Sequence, residues 1–409
     1  MRATDTIPDL FSPAALADPF PCYAALRRLG VVHDEVNRMW VVSRHADVLE
    51  VLHRPEDFSS AGGYGAFALG AAGPGGGESA RGRGIGLDRA FGSRVLIASD
   101  PPEHTMLRRI VSRGFTKRAM ADWEARAARL ADGLVDGLVE RMRVGDADVV
   151  RDLAIPLPVT LIAEILGVPA SRMADFRRWS EALVGALSND IDIDRSGLEI
   201  AAMVGYFSEV VAERRAMPGV DLISAIARSA PDGDELSQFE VVMFCILLLV
   251  AGNETTTNLL GNMVHAFWEH PTEWSRLVQD PDLAPPAVEE GLRYCGPVQG
   301  LFRQTTAPTT VGGVSLPAGA NVYVSFAAAN RDDRAFAEPD RFHVGRDAGA
   351  QVAFGHGIHF CLGAQLARME TRLAIAALAR RGVTLRAAGA AVPTTSPILR
   401  GFRSIPVTA

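Results

Sequence analysis

Apolar positions between Pro101 and His270 recur with a period close to that of an α-helix, and this part of the chain predicts a nearly continuous series of helices. Breaks are expected at Gly145-Asp146, Pro156-Leu157-Pro158, Gly167-Val168-Pro169, Pro218-Gly219 and Pro231-Asp232-Gly233. The clearest start signal is Ser237-Gln238-Phe239-Glu240, an S-x-x-E capping box ahead of an apolar run. No proline follows until Pro271, so the helix predicted here has about 33 residues and a length of about 50 Å. Its first half is apolar on every face, which predicts burial. Other segments have strand character. Val31-Val32-His33 and Met39 to Val42 read as two strands joined through Glu35 to Arg38, followed by a helix from Arg44 to His53. An amphipathic segment, Cys22 to Leu29, precedes them. Strand-like stretches return at Thr310-Val311 with Val314-Ser315, at Asn321 to Phe326 and at Arg400 to Val407. Many helices with a few small peripheral sheets predict one mainly α domain over residues 1–409, with about 1–12 as an N-terminal tail.

Residues 60–92 interrupt this picture, with twelve glycines between Gly62 and Gly92 and few large apolar anchors. Such a segment does not favour regular structure. A long loop inside a compact chain is more often a lid or binding loop than a linker, and a lid is expected here. With 409 residues the chain is long enough for a large core, and 48% hydrophobic content is that of a globular protein. A net charge of −7 argues against a nucleic-acid binder. The four cysteines, Cys22, Cys245, Cys295 and Cys361, are widely spaced and suggest no disulfide framework, as in a reducing cytoplasm. Met1 to Asp9 lacks the basic and apolar blocks of a secretory signal, and the most apolar run, Val241 to Ala251, is too short to span a bilayer. A soluble cytoplasmic protein without membrane attachment is expected.

Two stretches carry candidate chemistry. In Phe354-Gly355-His356-Gly357-Ile358-His359-Phe360-Cys361-Leu362-Gly363, a cysteine flanked by glycines precedes a run of helix formers. The positive end of that helix favours a thiolate, and glycines let backbone approach a flat ligand. The alternatives are a buried structural cysteine or a zinc site built from His356, His359 and Cys361. The second stretch is Ala251-Gly252-Asn253-Glu254-Thr255-Thr256-Thr257-Asn258, a polar interruption in a buried helix. Polar groups in such a place need partners or a task. One reading is a kink whose hydroxyls bond back one turn. The other is an oxygen-binding groove in which Ala251 and Gly252 leave room and Glu254 and Thr255 relay protons.

The pattern F-G-x-G-x-H-x-C-x-G over Phe354 to Gly363 resembles the haem-binding loop of the cytochromes P450, the haem-thiolate monooxygenases. Ala251 to Thr256 is similar to that family's A-G-x-[DE]-T-[ST] motif. The resemblance extends from about Asp18 to Pro406, with the motifs in the family's order, and the Gly-rich segment is its least typical part. It implies the cytochrome P450 fold, with many helices around haem, a long central helix and small peripheral β-sheets. It implies haem b, with Cys361 as the iron ligand and Phe354, Gly355 and Gly363 in the surrounding loop, and dioxygen as co-substrate. Glu254 and Thr255 become the proton-delivering pair. His104 and Arg108, at i and i+4, correspond to the family's H-x-x-x-R grip on a haem propionate, and Arg303 and His359 match its other propionate contacts. Glu290 and Arg293 match its E-x-x-R pair, for which Arg341 is the expected third partner. Gly291 stands where the family usually has a larger apolar residue.

At 409 residues there is no room for a fused flavin reductase, so the resemblance implies separate partners: a ferredoxin and its NAD(P)H-dependent reductase, serving a monomeric bacterial enzyme. Arg109, Arg113 and Lys117 recur at intervals of four on what reads as one helix and offer a docking stripe. Candidate substrate-pocket residues are Leu248, Val298, Leu301, Phe302, Ile398 and Leu399, with walls also expected from Tyr64 to Phe91 and Leu183 to Ile193. Arg81, Arg83 and Arg400 are candidates to meet a substrate carboxylate. The segments Pro297 to Arg303 and Leu399 to Phe402 resemble family members acting on aromatic acids or aromatic polyketides, which suggests a small hydrophobic substrate in secondary metabolism. The alternatives are a haem-binding sensor without turnover and a peroxide-driven oxidase; an intact Glu254-Thr255 pair speaks against both.

Overall fold

The structure is a computed structural model, and it describes residues 7–63, 95–115, 117–186, 193–219, 221–228, 235–394, 396 and 398–409. The Gly-rich segment beyond residue 63, and with it the expected lid, Arg81 and Arg83, lies outside the described residues. So do the Pro231 break and the side chains of Arg113, Lys117 and Leu183 to Ile193.

The long helix runs from Gln238 to Glu269, 32 residues. Its capping box forms as expected: Ser237 Oγ accepts from the Glu240 N–H at 3.2 Å, and Glu240 Oε2 accepts from the Ser237 N–H at 2.7 Å. Two of the orphan donors at a helix start are thereby satisfied. The helix packs against those at Pro156–Ile165, Met173–Ala186, Ile193–Ala216, Ala284–Cys295 and Ala364–Arg380, and so forms the axis of the main core. Burial is deepest in its second half, where every residue from Thr256 to Val264 is buried. The first half departs from expectation, because Leu247, Leu248 and Ala251 border an internal cavity, Leu248 also touching the main core. Among the described residues this is the helix long and apolar enough to cross a membrane, and its 18-residue window of mean hydropathy 1.6 exceeds the short run read from the sequence.

Helices at Glu103–Val111, Lys117–Val144 and Leu222–Ala227 complete the predicted helical stretch. Pro156 and Pro158 open a helix instead of breaking one; a proline in the first turn removes an N–H that has no intrahelical partner there. The segment carrying Arg109, Arg113 and Lys117 is not one helix, since a 3₁₀ turn at Ser112–Phe115 separates Glu103–Val111 from Lys117–Val144. The expected single-helix stripe is therefore not formed.

A five-stranded sheet joins both halves of the chain. The hairpin of Val32–Asp34 and Met39–Val42 pairs in parallel with Asn321–Val324, with Val41 opposite Tyr323. Leu301–Thr305 runs antiparallel to Asn321–Val324 and carries Phe58–Ser59 on its other edge. Small two- and three-stranded sheets lie apart from it, among them the hairpin Thr309–Val311 with Val314–Leu316 and the pairing of Phe402–Ser404 with Val392–Pro393. The expected N-terminal tail is partly built into the fold. Leu10 and Phe11 are buried, and the Phe11 ring meets Tyr323 edge-on with centroids 5.7 Å apart.

Candidate functional site

The cavity beside the long helix is walled on one side by Ala251, Gly252, Thr255 and Thr256 and on another by Phe354, Gly355, His359, Cys361 and Gly363. Its volume is about 250 Å³. The two motifs, about a hundred residues apart in the chain, thus face one space.

The cysteine loop is closed by the Cys361 N–H donating to Phe354 O at 2.9 Å, and the Ala364–Arg380 helix starts directly after it. Gly357 has φ +68, and a Cβ there would lie 2.3 Å from Leu52 O. Its glycine is required by the end of the His45–Leu52 helix, not by a ligand. At Gly363, by contrast, a Cβ would project into open space on the cavity wall. Burial pushes the Cys361 thiol up from its usual range, while the Gly363 N–H, Arg108 and Arg368 act in the opposite direction. The Cys361 side chain is nevertheless exposed to the cavity, and a metal ion bound there would favour its thiolate.

One end of the cavity is basic. Arg108, Arg303 and His359 are in its wall, and His104 stacks on His359 with ring centroids 4.2 Å apart. Arg108 Nη2 donates to Phe360 O at 2.6 Å, and His359 Nε2 lies 3.0 Å from Ser60 Oγ. His104 Nε2 is buried and makes no hydrogen bond. Burial, then the neighbouring cations, pushes His359 down to about 3; burial and Arg108 push His104 down to about 4. An anion placed among these four residues would relieve each of these effects.

On the facing helix, Thr255 Oγ1 donates to Ala251 O at 2.8 Å, the bond one turn back that the plainer reading of this stretch predicts. The hydroxyl nevertheless belongs to the cavity wall. Thr257 Oγ1 donates to Ala154 O at 3.0 Å and Asn253 pairs with Ser180, so these two polar groups have structural partners. Glu254 accepts from Asn258 Nδ2 at 2.9 Å; burial pushes its carboxyl up, with that hydrogen bond opposing. Its side chain is not in the cavity wall.

The sequence model of the family described as Cytochrome P450 matches residues 200–381. The vitamin D(3) 25-hydroxylase of Pseudonocardia autotrophica is 40% identical over 98% of this chain and 96% of its own length. The chain belongs to the cytochromes P450. The erythromycin C-12 hydroxylase of Saccharopolyspora erythraea is 38% identical to this P450 over 92% of the chain and 89% of its own length. The solved structure of CYP109E1 from Bacillus megaterium in complex with testosterone matches it with a TM-score of 0.80 and 34% identity, covering 96% of this chain and 98% of that one. The P450 is accordingly a haem-thiolate monooxygenase, an oxidoreductase that uses haem iron, dioxygen, redox partners and a small-molecule substrate.

The residues present fit haem. The cavity offers one cysteine, a basic end behind which the buried His104 Nε2 has no partner, and an unobstructed wall at Gly363. The zinc alternative finds no support, since His359 stacks on His104 while His356 packs on His53 at 4.4 Å between ring centroids. Among the described residues no three His, Cys, Asp or Glu side chains converge as metal ligands.

Glu290 and Arg293 form a fully buried pair, with Arg293 Nε and Nη2 at 2.7 and 2.9 Å from the two carboxylate oxygens. The expected third partner, Arg341, is a correction. Its side chain is 57% exposed and pairs with Glu338 at 3.2 Å, and only its backbone carbonyl reaches Arg293. Arg346 takes the place, its Nε 3.1 Å from Glu290 Oε1. Gly291 is also accounted for: a Cβ there would lie 2.6 Å from the Met263 sulfur, so a methionine from the long helix fills the space a larger residue would use.

Of the proposed pocket residues, Leu248, Val298 and Leu301 line the cavity. Phe302, Ile398 and Leu399 do not. Leu301 and Arg303 face the cavity from a strand, so the alternating side chains send Phe302 to the opposite side, where it packs on Tyr323 at 5.2 Å. Ile398 packs into that same cluster, and Leu399 is tied to Val298 by an isolated bridge. Arg400 also points elsewhere, over the Phe20 ring at 4.5 Å. Ser60, Arg346 and Asn258 escaped the sequence reading. Only Asn258 left a signal there, its i+4 spacing from Glu254.

Proposed function

We propose that this P450 holds haem b through Cys361, with His104, Arg108, Arg303 and His359 binding the propionates, and oxidises a small hydrophobic substrate of polyketide or other polycyclic type in secondary metabolism. The observation that carries this reading is the single cavity shared by Cys361 and the Ala251–Thr255 face, with the basic groups at its edge. When bound, thiolate-ligated haem iron activates dioxygen for transfer of one oxygen atom to a substrate C–H bond. The chain's own residues orient, exclude water and move protons. Burial pushes the Glu254 carboxyl up, which favours its holding a proton, and Thr255 presents a hydroxyl to the cavity through which that proton is passed.

Substrate class rests on the walls and on the relatives. Leu248, Val298, Leu301, Ile97 and Phe326 make a largely apolar surface. Erythromycin, vitamin D3 and testosterone, named for the proteins this chain resembles, are small-molecule, mainly aliphatic ring compounds. Electrons are proposed to come from NAD(P)H through a ferredoxin and its reductase. The enzyme is further proposed to act as a soluble cytoplasmic monomer of one domain, a view supported by the sheet that joins both halves of the chain.

The test is the absorption spectrum of the reduced, carbon monoxide-bound protein. A thiolate-type Soret band that Cys361→Ala abolishes is expected, and its absence from the parent protein would end this reading. Thr255→Ala should retain that spectrum while diverting reducing equivalents to hydrogen peroxide; tightly coupled product formation in that variant would refute the relay.

A further inference from the structure

The long helix carries a second polar feature that leads away from the cavity. Glu254, Asn258, Asn262, His265 and Glu269 follow one another at spacings of four, four, three and four residues. At about 100° per residue they fall within an arc of about 80°, forming one stripe. The stripe starts at the acid beside Thr255 and ends in solvent, the His265 and Glu269 side chains being 27% and 59% exposed.

The contacts along it are specific. Asn258 Nδ2 donates to Glu254 Oε1 at 2.9 Å. Asn262 Nδ2 donates to the carbonyls of Cys295 and Arg400 at 2.9 and 3.0 Å, while its Oδ1 is buried and accepts no hydrogen bond. His265 Nδ1 stands 3.6 Å from Glu269 Oε2, and its ring stacks on Phe402 at 4.5 Å. The backbone of Arg400, Gly401 and Phe402 roofs the stripe. A Cβ at Gly401 would lie 1.8 Å from Asn258 Oδ1, so only glycine lets that roof close over the amide. A buried acceptor without a protein donor is the kind of group that holds an internal water.

We propose that this stripe guides a file of internal waters by which Glu254 regains its proton from solvent, entering at His265 and Glu269, passing a water held at Asn262 Oδ1, and continuing water to water along the stripe to the carboxyl that Asn258 orients. The inference rests on the proton-delivery role proposed for Glu254. Each proton that Glu254 gives to the cavity is replaced by one taken up at the outer end. The amides of Asn258 and Asn262 exchange hydrogen bonds without gaining or losing a proton, and no electron moves. Asn258 is a positioning residue and does not touch the reacting atoms.

Infrared difference spectroscopy of the resting haem-loaded protein tests this without turnover. The carbonyl band of protonated Glu254 is identified by its loss in Glu254→Gln, and its shift after mixing into D2O gives the rate of proton exchange. Asn262→Leu, which keeps the volume and removes both polar groups, should slow that exchange at least tenfold. If it does not fold, His265→Phe, which preserves the stack on Phe402, takes its place with the same expectation. Exchange at the parent rate would mean that protons reach Glu254 from the cavity, and the proposal would fall. A parent protein with no Glu254-dependent band would equally overturn it, because an ionised acid at rest has no proton to replace. Loss of the thiolate-type carbonyl spectrum would instead count against the monooxygenase reading, so the two failures are distinguishable.

Discussion

Replacing Arg293 with methionine removes a wholly buried guanidinium that makes five hydrogen bonds. Two go to Glu290, and three hold the carbonyls of Asn330, Pro339 and Arg341, the backbone that leads into the haem loop. Breaking a buried ion pair from one side costs about 3–5 kcal/mol. Each carbonyl left without its donor adds about 1–3 kcal/mol. Glu290 would keep the His343 N–H at 2.9 Å and Arg346 Nε at 3.1 Å, which limits the first cost to the lower end of its range. The Arg341 carbonyl keeps Arg346 Nη2 at 3.0 Å, so two carbonyls are stranded and the expected loss is about 5–9 kcal/mol, a large share of the roughly 5–15 kcal/mol that keeps a protein folded. Urea unfolding, followed by far-ultraviolet circular dichroism and by the Soret band, measures it. Adding Glu290→Gln to Arg293→Met should recover about 1–4 kcal/mol, because the stranded charge is then gone. A single variant within about 1 kcal/mol of the parent, on the scale of one ordinary hydrogen bond, would refute this account of the buried pair.

Two further outcomes are expected. Arg346→Ala should cost about 2–3 kcal/mol, because it strips Glu290 of its second guanidinium and leaves the Ala337 carbonyl without its donor, whereas Arg341→Ala should change stability by less than about 0.5 kcal/mol; equal losses in urea unfolding would contradict the assignment. His104, pushed down to about 4, and His359, pushed down to about 3, bind protons less readily in the folded protein than in the unfolded chain, so haem-free protein should be fully stable above about pH 6.5 and lose stability on acidification, by about 2 kcal/mol for His104 at pH 5. His104→Phe should remove about half of that loss between pH 7 and 5 in thermal unfolding, and an unchanged loss would count against the cause.

Features set by neighbouring residues were legible before any coordinates. The Ser237 capping box, the thiolate loop and the Asn321 strand all depend on local spacing, and each forms where the pattern put it. What escaped depends on chain segments that meet only in three dimensions. Arg341 and Arg346 are equally basic and five residues apart, and nothing in the sequence says which one turns inward. Phe302 looks like a pocket residue until its strand register is known, since a shift of one position would exchange it with Leu301. The role of Gly357 reads as room for a ligand, yet the neighbour that requires it is Leu52 O, three hundred residues earlier in the chain.

The parallel pairing of Val41 with Tyr323 has a consequence for how this enzyme is made. The strand that presents Arg303 to the cavity lies between two partners, one of which, Phe58–Ser59, is synthesised near the start. At roughly 5–20 residues per second, Phe58–Ser59 waits tens of seconds on the ribosome for the strand it must join. Closing so long a loop is slow by its topology. Arg303, Cys361 and the His104 helix therefore reach their places together, late, and after most of the chain has emerged. Capture of the cofactor is then a step of maturation that follows translation, and a nascent chain arrested before Tyr323 should take up no haem.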